Sequence, residues 1–183
     1  NHSLSKVMPN YTLTVYCLDN KIFDFLYKFN FPNINLFKVD DIEDENFKKS
    51  YLNRSWIEFI WTSTPIIIKH FLENNHEDCI YVDSDLYFYN NPLEKIENNN
   101  DYDVLITPHN FSEIYKKNEL FGKYCVQFIY FKNNKNSKDI LRTWRKQCID
   151  WCYAKYENGK FGDQKYLDDW PQKYINSVKV SSH

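Results

Sequence analysis

The sequence predicts an α/β fold, a sandwich of helices around a largely parallel central sheet. Three observations lead there. Short apolar, strand-like runs alternate with stretches of helical periodicity along the 183 residues, the pattern that builds parallel sheets through crossover helices. Aromatic residues make up 19% of the chain, with 15 Tyr and 14 Phe, a load that disordered chains do not carry. No internal repeat and no Gly/Ser- or Pro-rich linker divides it, and with only three Gly its loops rely on Asn and Asp for left-handed turns. We therefore read residues 1–183 as one domain, large enough to bury about two-thirds of its unfolded surface.

The elements follow in order. Residues 2–8 read as the tail of a helix stopped near Pro9. Thr12 to Leu18 is an apolar strand ending at Asp19, and 21–29 carries Ile22, Phe25, Leu26 and Phe29 at helical spacing. Asn33 to Val39 is a second strand, followed by an acidic loop at 40–45. Residues 53–73 predict one long helix bent at Pro65. Cys79–Val82 is a short buried strand running into Asp83-Ser84-Asp85; Val104–Thr107 and Tyr124–Phe131 are further strands. The clearest helix is 138–156, with Ile140, Leu141, Trp144, Cys148, Trp151 and Cys152 in one core stripe and Ser137 as N-cap. Ser177–Val180 is a last strand.

Bulk chemistry narrows the function classes. Net charge is -2, and no block of five basic residues occurs, so nucleic acid is excluded as a main partner. Mean hydropathy is -0.67, a globular chain with a very polar surface. No stretch approaches the ~18 apolar residues of a membrane span, and no signal peptide is visible. Five cysteines without zinc spacing read as reduced, mostly buried thiols in a cytosolic protein. The chain opens on Asn1 rather than Met, so we expect the natural N-terminus to lie further upstream.

In open α/β sheets ligands gather at the carboxyl ends of strands, which directs attention to Asp19, Asp83, Asp85 and the segment 107–110. Asp83 and Asp85 are the most informative pair. In extended chain, residues i and i+2 point to one side, so both carboxylates can converge on one divalent cation. Two hard oxygen ligands suit Mg²⁺ or Mn²⁺, with diphosphate oxygens and water completing the shell. The same two residues could also simply end a strand and start a turn.

Tyr81-Val-Asp-Ser-Asp-Leu-Tyr-Phe-Tyr-Asn-Asn-Pro92 resembles the DxD segment of GT-A glycosyltransferases, especially the family-8-like group. Trp61-Thr-Ser-Thr-Pro65, Trp151-Cys-Tyr153 and Gly159-Lys-Phe-Gly-Asp-Gln-Lys-Tyr-Leu-Asp-Asp-Trp-Pro171 are similar to segments of bacterial nucleotide-diphospho-sugar transferases, in the same order over nearly the whole chain. The resemblance implies a GT-A (Rossmann-like) α/β/α sandwich whose first strand and C-terminal tail lie outside residues 1–183. It implies a metal-dependent transfer of a sugar, with retention, from a nucleotide-diphosphate sugar (a UDP-sugar foremost) to an acceptor hydroxyl. The acceptor would be a glycan or lipid-linked hydroxyl in surface-glycan synthesis, with the protein cytoplasmic and peripherally associated with the inner face of the membrane.

Carried over residue by residue, the resemblance makes Asp83, Asp85 and His183 the ligands of Mn²⁺ or Mg²⁺. It makes Asp163 and Gln164 the groups beside the donor's anomeric carbon. Thr62, Thr64 and Asp19 become candidates for nucleotide contacts, and His109, Gln127 and Asp168 for substrate contacts. Each has a plainer reading too: Asp163 as an N-cap, Thr62 and Thr64 as helix-surface residues, His109 as a loop residue, Gln127 as an ordinary strand residue. Arg54 reads as a surface salt bridge, Tyr87 and Trp170 as packing. One departure stands out: Cys125 and Gln127 occupy positions where similar sequences carry Asn and Gly.

Other chemistries stay open. A hydrophobic strand followed by Asp-x-Asp also opens haloacid-dehalogenase-like phosphohydrolases, and Gly162-Asp163 with Asp168-Asp169 is similar to their late acidic motif. Against this, Leu86-Tyr87 stands where a Thr or Val is usual, and Tyr153–Phe161 is too polar for the strand that motif would end. A sugar-nucleotide pyrophosphorylase on the same fold and a non-catalytic carbohydrate-binding module are the remaining alternatives.

Overall fold

A computed structural model describes residues 2–97 and 101–181. The chain runs α1 (His2–Val7), β1 (Leu13–Cys17), α2 (Asn20–Tyr27), β2 (Ile34–Lys38), α3 (Glu45–Asn53), α4 (Trp56–Asn75), β3 (Cys79–Val82), α5 (Glu94–Glu97), β4 (Val104–Pro108), β5 (Tyr124–Phe131), α6 (Lys135–Asp150), α7 (Trp170–Lys173) and β6 (Val178–Val180). Single 3₁₀ segments occupy Val39–Asp41, Glu113–Phe121 and Gln164–Asp169. The α/β architecture matches the expectation. Among the described residues β1 and β2 pair in parallel, and a second sheet has the order β3-β5-β4-β6. In that sheet β4 and β6 are parallel, while β5 runs antiparallel to both its neighbours, so the sheet is mixed. No helix of the described residues is long and apolar enough to cross a membrane.

Local chemistry sets the boundaries. The region read as one helix from 53 to 73 is two helices. Arg54 is extended, at φ -119 and ψ 146, and Ser55 starts α4 with a capping box in which the Glu58 carboxylate accepts the Ser55 N–H at 2.8 Å. Pro65 sits inside α4, where it removes the hydrogen bond to the Trp61 carbonyl. Helix α6 begins earlier than Ser137 suggests: Asn134 is the N-cap, accepting the Ser137 N–H at 3.0 Å, and Ser137 is fully buried in its first turn. The helix ends at Asp150, so Trp151 and Cys152 lie beyond it, although Cys152 is still fully buried.

The main core lies between the four-stranded sheet and helices α4 and α6. Phe131, Ile129, Ile106, Val104, Ile68, Leu72, Leu141 and Trp144 are each essentially inaccessible, and burials of this kind contribute roughly 1.5–3 kcal/mol per large apolar side chain. The Trp144 and Trp170 rings meet edge to face at 5.4 Å, which fixes the turn before α7. A second cluster, Val39, Ile42, Phe47, Phe59 and Ile66, joins β1–β2 to α3 and α4. Helix α4 serves both clusters and is the spine of the molecule. All five cysteines are free thiols, four buried and Cys125 half-buried.

Candidate active site

Strand β3 ends at Val82, and the backbone N–H of Asp83 extends its pairing by bonding the Gln127 carbonyl at 3.0 Å. Asp83 is therefore held opposite Gln127 of β5. That part of β5 is irregular. Ile106 pairs with Ile129, but Thr107 pairs with Cys125, so Val126, Gln127 and Phe128 have no partner on β4. Bulges of this kind re-aim side chains beside active sites. Here the irregular stretch leaves Gln127 exposed next to Asp83 and Cys125 half-buried below it.

Side-chain chemistry ties Asp83 further. Tyr81, two residues earlier and so on the same side of β3, donates its hydroxyl to Asp83 Oδ1 at 2.8 Å. Burial raises the Asp83 pKa above the usual carboxylate value; the Tyr81 hydrogen bond opposes that, and the Asp85 charge adds to it. Asp85 is exposed. Among the described residues neither carboxylate pairs with a Lys or Arg. Two neighbouring carboxylates without a counter-cation fit a divalent ion, whose charge would oppose both the burial and the Asp85 charge that raise Asp83. No cluster of three or more His, Cys, Asp or Glu that could hold a metal occurs among the described residues; beside Asp83 and Asp85, a bound diphosphate and water can supply further ligands. His183 lies outside the described residues.

Asp163 is the buried acid of the site, at 4% exposure. Its carbonyl accepts the Trp144 indole N–H at 3.0 Å, which anchors the turn to the core. Burial pushes its carboxyl up to about 7; the Asp83 charge pushes the same way, while backbone N–H groups and the Thr64 hydroxyl oppose the rise. Gly162 precedes it at φ 51, a left-handed position, and a Cβ there would meet the Trp61 ring at 3.2 Å. Cys125 feels both acids: burial raises its pKa first, and the charges of Asp83 and Asp163 add to that. Asp83, Asp163 and Cys125 thus share one neighbourhood, reached from β3, the 162–164 turn and β5.

The next residue, Gln164, is clamped at both ends. Its Nε2 donates to the Phe121 carbonyl at 3.1 Å, and its Oε1 meets His109 Nε2 at 3.3 Å. Burial lowers the His109 pKa below the ordinary imidazole value, partly offset by Gln164 and Asp168, so the ring is neutral at pH 7. Gly122 makes room for this clamp, because a Cβ there would stand 3.0 Å from Gln164 Cγ.

Other expected positions have different surroundings. Thr62 is fully buried and gives its hydroxyl to the Glu58 carbonyl at 2.7 Å, inside its own helix. Thr64, also buried, lies close enough to Tyr81 and Asp163 to lower the pKa of both; neither threonine lies on the helix surface. Asp19 is the N-cap of α2, accepting the Ile22 N–H at 2.8 Å. Asp168 accepts the Lys123 N–H at 2.7 Å and pairs with Lys165 at 2.7 Å, which secures the segment after Gln164. Arg54 is not a surface salt bridge: it stacks 4.0 Å over the Tyr153 ring and donates to its hydroxyl at 2.6 Å. Tyr87 is exposed beside Tyr89, whereas Trp170 is core. Two surface cavities, of about 320 Å³ beside Tyr102 and Ile175 and about 280 Å³ beside Asp44 and His70, lie away from these acids. Sequence reasoning missed Tyr81, although its i,i+2 relation to Asp83 was visible.

The profile of the nucleotide-diphospho-sugar transferase family matches residues 8–180. Of the relatives in Bacillus subtilis (strain 168), Uncharacterized protein YfnF is 30% identical over 189 residues, covering 98% of this chain and 62% of its own. Uncharacterized protein YfnD is 25% identical over 186 residues, covering 99% of this chain and 60% of its own. The chain spans about three-fifths of the length of these relatives.

Proposed function

This chain belongs to the nucleotide-diphospho-sugar transferase family, and we propose that it transfers a glycosyl group from a nucleotide-diphosphate sugar to an acceptor hydroxyl at a site built on Asp83, Asp85 and Asp163. The observation that carries this reading is the uncompensated pair of carboxylates at the end of β3, beside a third, buried acid. Asp83 and Asp85 would hold a Mn²⁺ or Mg²⁺ ion, which when bound supplies positive charge to the departing diphosphate. Asp163 and Gln164 orient the donor sugar from the opposite side. Asp163 takes up or shares a proton near neutral pH, so it can hydrogen-bond a sugar hydroxyl either as donor or as acceptor. The His109–Gln164–Phe121 clamp keeps the Gln164 amide from swinging out.

In the reaction the acceptor oxygen bonds to the anomeric carbon, the bond from that carbon to the diphosphate oxygen breaks, and the acceptor proton leaves with the diphosphate or to water. The likeness to family-8-like enzymes favours a UDP-sugar donor and retention of configuration. It also favours a glycan or lipid-linked acceptor at the cytoplasmic face of a bacterial membrane. The pKa of Asp163 adds support, since perturbed acids cluster at functional sites.

The test is transfer or hydrolysis from a panel of UDP-, GDP- and CDP-sugars, with and without Mn²⁺, in the natural-length protein. Asp83→Asn and Asp85→Asn are each expected to lower turnover at least 100-fold, in keeping with the loss of a preorganised electrostatic contribution. Activity that survives both substitutions, or that is indifferent to chelation, removes the metal-dependent reading.

A further inference from the structure

We propose that Arg54 and Tyr153 are positioning residues that hold the base of the loop 153–162 against the start of α4 and so set where Asp163 and Gln164 stand; this rests on the reading of those two residues as donor-sugar contacts. Arg54 is placed for reach. It is the extended residue between α3 and α4, so it belongs to neither helix and its side chain crosses to the end of α6. There its Nη1 donates to the Tyr153 hydroxyl at 2.6 Å and its Nη2 to the Ile149 carbonyl, in the last turn of α6, at 3.1 Å. The guanidinium also lies 4.0 Å over the Tyr153 ring. A cation suits a helix C-terminus, and a planar fork can stack and donate at once, which a lysine cannot. The Arg54 Nε is buried with no hydrogen-bond partner among the described residues, a cost that the other contacts must offset. One turn further on, the Glu58 carboxylate accepts the Ala154 N–H at 2.8 Å. The start of α4 thus grips Tyr153 by its side chain and Ala154 by its backbone.

Tyr153 passes the constraint on. Its carbonyl accepts the Gly162 N–H at 3.0 Å, which closes the loop one residue before Asp163. Between these ends Glu157 and Lys160 exchange both backbone hydrogen bonds around Asn158 and Gly159, each at positive φ, as in a tight two-residue turn. On the returning leg the Phe161 ring meets Trp61 of α4 at 5.9 Å and Phe121 at 4.7 Å, and the Phe121 carbonyl is the one that holds Gln164. Asp163 is therefore fixed twice, through Gly162 on the loop side and through the Trp144 indole on its own carbonyl. Loss of the Arg54–Tyr153 contact leaves the second hold alone.

The experiment compares Tyr153→Phe, which keeps the ring and loses the hydroxyl, with Arg54→Lys, which keeps the charge and loses the fork, in the natural-length protein. Hydrogen exchange by mass spectrometry is followed over 153–164 and over β4. Turnover is measured on the panel of UDP-, GDP- and CDP-sugars with Mn²⁺. Gly159→Ala, which strains the tip of the loop and leaves its base, and Asp163→Asn are the references. Both variants are expected to exchange about fivefold faster over 153–164, the effect of one lost hydrogen bond, and to leave β4 unchanged. kcat is expected to fall about tenfold in Tyr153→Phe and about 100-fold in Arg54→Lys, the scale of a reacting group misplaced by about 1 Å. KM is expected to stay near the wild-type value, because the groups displaced act on the transition state. Gly159→Ala is expected to turn over as the wild type does.

Unchanged exchange over 153–164 in both variants overturns the anchor. Exchange that rises equally over β4 assigns the loss to general unfolding and overturns it too. Faster exchange with wild-type kcat, or a loss carried by KM alone, while Asp163→Asn is impaired, overturns the positioning role and leaves the reading of Asp163 standing. If Asp163→Asn turns over as the wild type does, or the wild type turns over none of the panel, the reading of Asp163 falls and the positioning role falls with it.

Discussion

Asp163 makes a stability prediction that needs no substrate. Its carboxyl stands at about 7 against an ordinary 3.8. At about 1.4 kcal/mol for each factor of ten, the differential interaction is about 4 kcal/mol. The sign follows from where the proton sits. Between about pH 4 and pH 7 the folded protein keeps a proton that the unfolded chain has released, so stability from this group falls as pH rises. The contribution is complete below 3.8 and gone once pH has passed 7. Asp163→Asn removes the titration while keeping the volume and an acceptor oxygen. The variant is expected to match the wild type near pH 4 and to exceed it at pH 8 by up to about 4 kcal/mol. For a chain of this size that is a rise in Tm of roughly 8–15 °C. Calorimetry of the chelator-treated proteins from pH 4 to 8 measures it, because titrating groups that do not interact with Asp163 cancel in the difference. Parallel curves for the two proteins would refute the assignment of a raised, buried acid at this position.

Two further predictions bear on neighbouring structure. Gly122→Ala and Gly159→Ala both place a side chain at a positive φ, and each is expected to cost about 1–2 kcal/mol by melting. Only the first crowds Gln164, at 3.0 Å, so only Gly122→Ala is expected to lower transfer as well; equal activity in the two variants would detach Gln164 from catalysis. Asn134→Ala removes the N-cap of α6 and the bond from Asn134 to Asp103, and is expected to cost about 1–2 kcal/mol in chemical denaturation, with no change in donor binding.

Much of the fold was legible because its signals are local. The apolar runs at Cys79–Val82 and Tyr124–Phe131 have the bounds that their composition suggests. The split between α3 and α4 was readable too, since Ser55 and Glu58 spell a capping box; the unbroken apolar stripe concealed it. The start of α6 was placed late because Ser137 and Asn134 are both good caps, and the tertiary bond of Asn134 to Asp103 decides between them. The direction of β5 was not legible, because antiparallel and parallel strands carry the same apolar pattern when both faces are buried. The neighbourhood of Asp83 follows from residues i and i+2, but its proximity to Asp163 joins residues eighty positions apart, which no local pattern shows. Thr62 and Thr64 look alike on paper, yet Thr62 bonds within its own helix while Thr64 lies beside Tyr81 and Asp163.

The ends of the two sheets bear on how the protein behaves in a test tube. Among the described residues β1 pairs on one side only, with β2, and β3 on one side only, with β5. An edge of this kind accepts an extended peptide where nothing else covers it, and Leu13–Cys17 and Cys79–Val82 are both apolar runs. A net charge of -2 gives little mutual repulsion to oppose such contacts. Where those edges are uncovered, shielding them is expected to do more for monodispersity at high concentration than adding surface charge.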